Sequence, residues 1–153
     1  MTVQNHTDVH DHLLYALSTD YGRRQIILHT ICPSGGSEQF IDVVFTDVVT
    51  CHLEQAAFGA DSSNVLFGVE ETDPRAIFEQ DSVGTWCSAR LLEHTKNHGW
   101  PILGYSDLDD LVRQLTAENA KAYEVHGTCG LSGFIFARLL EYRVRSSRYQ
   151  GPA

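Results

Sequence analysis

The stretch Glu38–Glu54 alternates apolar and polar residues for longer than an ordinary strand lasts. Ile41, Val43, Phe45, Val49, Cys51 and Leu53 share one parity, and only Asp47 interrupts it. A period of two is the signature of a strand with one buried face. Strands usually run about 3–10 residues, so the pattern predicts a bulge or break near Thr46-Asp47. A chain holding such a run is committed to a sheet.

The flanking segments read in the same grammar. Leu13–Asp20 places Leu13, Tyr15 and Leu17 on one side, Tyr21-Gly22 turns the chain, and Arg24–Cys32 alternates again. Together these predict a β-hairpin. Pro33–Ser37 is the next turn, and Val65, Phe67 and Val69 mark a further strand. At Asp73-Pro74 the pattern changes. Asp suits an N-cap and Pro the first helical position, so a short helix through Ile77-Phe78 is expected. Val83, Trp86, Cys87, Leu91 and His94 follow helical spacing up to Gly99 and Pro101. Leu108, Leu111, Val112 and Leu115 form the apolar stripe of another helix, entered through Ser106 with acidic residues in its first turn. Lys121–His126 reads as a strand and Gly127–Gly133 as a glycine-rich turn. Phe134–Val144 fits a strand or a helix, and three glycines in the preceding seven residues favour the hairpin. The expected fold class is α+β: a mainly antiparallel sheet with two or three helices inserted between N-terminal and C-terminal strands. One domain over residues 1–153 is expected, with 1–12 and 145–153 frayed.

Charge is distributed unevenly. Residues 1–74 carry eleven carboxylates against Arg23 and Arg24, a balance of −9, whereas residues 75–153 carry nine charges of each sign. A localised negative field attracts basic partners and repels nucleic-acid phosphates and anionic membranes. Asp42, Asp47, Glu54, Glu70, Glu71 and Asp73 are the candidate partner-binding residues. Asp42, Glu54 and Glu70 take the parity opposite the apolar residues of their strands, which predicts an acidic sheet face. A solvated face that only keeps the chain soluble is the plainer alternative. No apolar run reaches membrane-spanning length, and Met1–His12 lacks the form of an export signal, so a cytoplasmic protein is expected. In that compartment Cys32, Cys51, Cys87 and Cys129, which form no CxxC pair, are expected as free thiols.

Three motifs invite chemistry. His6, Asp8, His10 and His12 would share a side of an extended chain, and imidazole with carboxylate suits zinc-like metals. Such a site needs a distant ligand such as His52 or His126, and a solvated terminus explains the same residues without metal. His94 and His98 lie four apart, but EHTKNH lacks the glutamate placement of HExxH, so a structural role is expected. Cys129 beside His126 could mimic a thiol–imidazole pair, although closeness in sequence does not place nucleophile and base together. The glycines around it fit neither phosphate-binding pattern and are expected to serve a tight turn.

His10–Leu14 entering a hairpin, Phe45-Thr-Asp-Val48 and Asn64–Glu70 together resemble small uncharacterised bacterial proteins grouped with immunity proteins of toxin systems. The likeness covers the first half of the chain. It implies an α+β domain that neutralises a toxin by binding it, and it transfers no catalytic residue. The expected function is therefore a small binding module whose acidic face docks a basic protein, with no cofactor. A metal-dependent enzyme using the N-terminal His/Asp cluster is the alternative from another class. A structural subunit of a homo-oligomer, paired through strand edges, is the third.

Overall fold

A computed structural model describes residues 11–32, 39–55, 65–79, 108–127 and 131–151. The strands are β1 (Leu13–Asp20), β2 (Gln25–Cys32), β3 (Gln39–Gln55), β4 (Leu66–Thr72), β5 (Lys121–Gly127) and β6 (Leu131–Arg145). Among the described residues two helices, α1 (Pro74–Glu79) and α2 (Leu108–Ala117), lie between β4 and β5. All pairings are antiparallel, in the order β1-β2-β3-β6-β5-β4. A single bridge from Leu13 to Val65 joins the two edges, so the sheet closes on itself. The expected helix over 83–98 and the Cys87, Cys129, His94 and His98 positions lie outside the described residues.

Closure gives the sheet an inner and an outer face. Leu14, Ile26, Leu28, Ile41, Val43, Phe45, Tyr123, Val125, Ile135 and Ala137 pack inside as one cluster to which β4 adds Val69. The outer face of β5 and β6 forms a second cluster, in which Ala122, Phe134 and Phe136 are covered by Ile77, Leu111 and Leu115. The helices and the Ile41–Phe45 stripe therefore do not share one core, as a single-layer reading of the sequence would have it. They lie on opposite sides of the sheet.

The bend falls where Asp47 breaks the alternation. Asp47 adopts a left-handed φ of 52°, and the Val48 N–H donates to the Arg24 carbonyl at 2.9 Å. The register with β6 then shifts between Val48 and Thr50. This offset corrects the expected parity: Val48 packs with the inner cluster and Val49 with the outer one. The inner side therefore passes from the odd positions through Phe45 to Val48 at the bend, and the extra residue at the bulge passes it back to the odd positions. Cys51 and Leu53 return to the inner side.

Local capping fixes the helices. Asp73 Oδ1 accepts the Arg75 N–H at 2.9 Å, an N-cap bond to an orphan donor of α1. At the end of α2, Asn119 takes a left-handed φ of 55° while the Ala120 N–H reaches Leu115 O at 2.9 Å and the Asn119 N–H reaches Thr116 O at 3.1 Å. This pair of bonds satisfies the last carbonyls of the helix and turns the chain into β5.

The ambiguous segment after the glycines is strand, continuous from Leu131 to Arg145. Gly133 lies inside that strand rather than in the turn. The described part of the C-terminal tail packs on the sheet: Tyr149 lies flat on the His29 ring, centroids 3.8 Å apart, and its N–H donates to Tyr15 Oη at 2.9 Å. The guanidinium of Arg148 sits over the Tyr15 ring. The Tyr149 ring and the Arg148 cation give the tail an apolar and electrostatic hold on the outer face of β1–β3.

Burial inside the closed sheet has an alkaline consequence. Desolvation raises the Cys51 thiol and, with Glu71 adding repulsion, the Tyr123 phenol above their ordinary values. Each group is harder to ionise folded than unfolded. Its stabilisation is full below the unfolded value, about 8.5 for thiol and about 10 for phenol, and is lost as pH climbs through the raised folded one. The urea midpoint should therefore fall above that range, and Tyr123→Phe should remove part of the fall.

Candidate functional site

The outer face of β1–β3 carries a row of polar side chains that register brings together. Ala16, His29, Asp42 and Arg143 are cross-strand neighbours on β1, β2, β3 and β6. Ser18 and Arg145 stand diagonally from the row, within reach of longer side chains. His29 Nδ1 lies 2.7 Å from Asp42 Oδ1, and His29 Nε2 lies 2.7 Å from Ser18 Oγ. A carboxylate can only accept, so Nδ1 carries a proton and donates to Asp42; in the Nδ1–H tautomer Nε2 accepts the Ser18 hydroxyl. Arg145 Nη1 donates to Asp42 Oδ2 at 3.1 Å. His29 and Asp42 are buried, at 1% and 5% exposure, while Ser18 is half-buried on the edge strand. The arrangement is a serine hydroxyl on an imidazole whose other nitrogen is held by a carboxylate that Arg145 also contacts.

Asp42 is thereby removed from the expected acidic face. Its parity was read correctly, since it points away from Ile41 and Val43. That side is not solvent, because the tail covers it and Tyr149 seals His29. The tail was expected to fray, so nothing in strand spacing indicated a lid over this row.

The other acidic candidates are spread out. Asp47 sits in the bend, and Asp73 caps α1. Glu71 pairs with Lys121 at 3.4 Å. Glu54 and Glu70 do belong to one region. Register aligns His52, Phe134, Glu124 and Glu70 in a row across β3, β6, β5 and β4. His126 Nε2 lies 3.0 Å from Glu124 and 3.9 Å from Glu70, and His52 Nε2 lies 3.5 Å from Glu54. Glu70 is 75% exposed in its side chain, whereas Glu124 is nearly covered. Glu124 was missed because it alternates with Tyr123 and Val125 in a strand that reads as core.

His6, Asp8 and His10 lie outside the described residues. His12 is buried, and its Nδ1 meets Thr30 Oγ1 at 3.2 Å. Thr30 spends its own proton on Ile41 O at 2.8 Å, so His12 is the donor there. His52 and His126 face carboxylates on the far side of the sheet. Among the described residues no three His, Cys, Asp or Glu side chains converge as a metal site.

A cleft of about 420 Å³ opens at the β1–β2 turn, between Tyr21, Ile26, Val49 and Cys51, with Arg24 and Glu118 4.0 Å apart on its wall. Cys51 is a free thiol. Among the described residues no helix is long and apolar enough to cross a membrane. No protein-family description, curated protein or solved structure matches the chain.

Proposed function

We propose that the chain is a small binding protein that docks a basic protein partner on the carboxylates at the β4–β5 side of the sheet. The carrying observation is the grouping of Glu54, Glu70 and Glu124 around His52, His126 and Phe134 within a chain whose net charge is −9. Opposed charge of this kind acts chiefly on association rate and on the choice of partner. The inner face is filled by side chains from all six strands, which favours surface recognition over an enclosed ligand. A toxin with a basic surface is one partner of this chemistry, in keeping with the resemblance of the first half of the chain to immunity proteins.

The test begins with capture of partners from the native host's lysate and continues with association kinetics. Glu54→Lys with Glu70→Lys should slow association about tenfold or more, and raising salt should slow the wild type similarly. The thermal midpoint should hardly move, because both side chains reach solvent. Association indifferent to salt and to both reversals would remove the carboxylate surface from the interaction.

A further inference from the structure

We propose that Ser18 is an acyl-accepting nucleophile and that the chain hydrolyses small, unhindered carboxylic esters. This activity is separate from partner docking and uses the opposite part of the sheet. A serine hydroxyl is a weak nucleophile unless a base receives its proton as attack proceeds. Here Nε2 of His29 accepts that hydroxyl at 2.7 Å, inside the range that proton transfer requires. Nδ1 donates to Asp42 at the same distance, which fixes the tautomer and balances the imidazolium that would form. Arg145 and Tyr149 are positioning residues: one holds the second oxygen of Asp42 and the other stacks on the imidazole within 4° of parallel. Three consecutive strands thus supply nucleophile, base and orienting acid, a geometry recognised by roles and not by sequence order.

Access also fits. Ser18 is partly exposed between Leu17, at 44% exposure, and the exposed Thr19. β1 is at the edge of the sheet order and beyond Leu13 pairs only with β2 among the described residues. Every second N–H along such an edge points outward, where it can donate to a carbonyl oxygen developing negative charge. The open position suits a short acyl group.

In the first step Ser18 Oγ bonds to the ester carbonyl carbon and its proton passes to Nε2. The bond to the leaving alkoxide then breaks, and Nε2–H protonates that alkoxide, releasing the alcohol. Water next attacks the acyl-serine, giving a proton to Nε2. Cleavage of the acyl–Oγ bond releases a carboxylic acid, and Oγ recovers its proton. No oxidant or reductant is required.

The experiment exposes the folded protein to a fluorophosphonate, which phosphonylates only activated serines, and locates the adduct by peptide mass. One adduct on Ser18 is expected, lost in Ser18→Ala, with labelling slowed about 100-fold or more in His29→Gln, the lower range for a general base. p-Nitrophenyl acetate should show the same order of rates. Asp42→Asn should lower kcat with little change in KM and alter the pH profile, which a merely structural bond would not do. Circular dichroism identifies variants that fail to fold. Should His29→Gln unfold, Ser18→Ala and wild type still decide the matter. Folded wild type that takes no label, or takes it equally in Ser18→Ala, overturns the proposal and leaves the relay as a clamp on the tail.

Discussion

Alanine at position 133 is expected to prevent the fold from forming at ordinary temperature. Gly133 sits in β6 at φ 143°, directly against β3, and a Cβ there would lie 2.0 Å from the His52 carbonyl oxygen and 3.0 Å from Leu53 Cα. Both obstacles are backbone, so no rotamer change relieves the overlap. The strands must separate at the longest pairing in the molecule, the one between β3 and β6. A loss above about 4–5 kcal/mol belongs to the extreme class of single substitutions and is comparable to the whole stability of many domains. Denaturant titration checks this, with Ser132→Ala as the neighbouring control. An unchanged midpoint for Gly133→Ala would mean that β3 and β6 do not approach as described.

Two further truncations test the division into an inner and an outer core. Phe45 and Leu111 are both fully buried, the first inside the closed sheet and the second beneath α2. Phe45→Ala should cost about 3–5 kcal/mol and Leu111→Ala about 2–5 kcal/mol, since each leaves a cavity that rigid neighbours fill poorly. The clusters lie on opposite faces, so the double variant should equal the two losses added, within about 0.5 kcal/mol. Marked non-additivity would show that the side chains share one packing unit after all.

The strands were legible because alternation is a local property. Leu13–Asp20 and the long run through Asp47 announce a period of two, and each is a strand; Phe134–Val144 fitted either element, and the glycines before it favoured the strand it forms. Asp73-Pro74 likewise announced α1, and the Leu111–Leu115 stripe announced α2. What alternation could not give is the count across a bulge. One added residue near Val48 moved Val49 to the other face, and no residue type advertises that offset. The relay was illegible for a different reason. Ser18, His29 and Asp42 are 11 and 13 positions apart, and their meeting depends on strand register. Register follows from turn lengths and from the extra residue between Leu14 and Ala16. The tail over His29 was hidden as well, because Arg145–Gly151 has no apolar period, and its hold comes from single rings and guanidinium groups.

The strand order carries a last consequence. β1, β2 and β3 follow one another as neighbours, and so, in reverse, do β6, β5 and β4. The described sheet is thus a three-stranded meander, β1–β3, paired along β3 with β6 of a second three-stranded unit, β4–β6, whose first two strands are separated by the helices. Thermodynamically it is a heterodimer whose subunits share a tether, and the meander formed by residues 11–55 comes from the negatively charged half of the chain. Within such a tethered pair, affinity lies in the joint and the linker sets only the effective concentration.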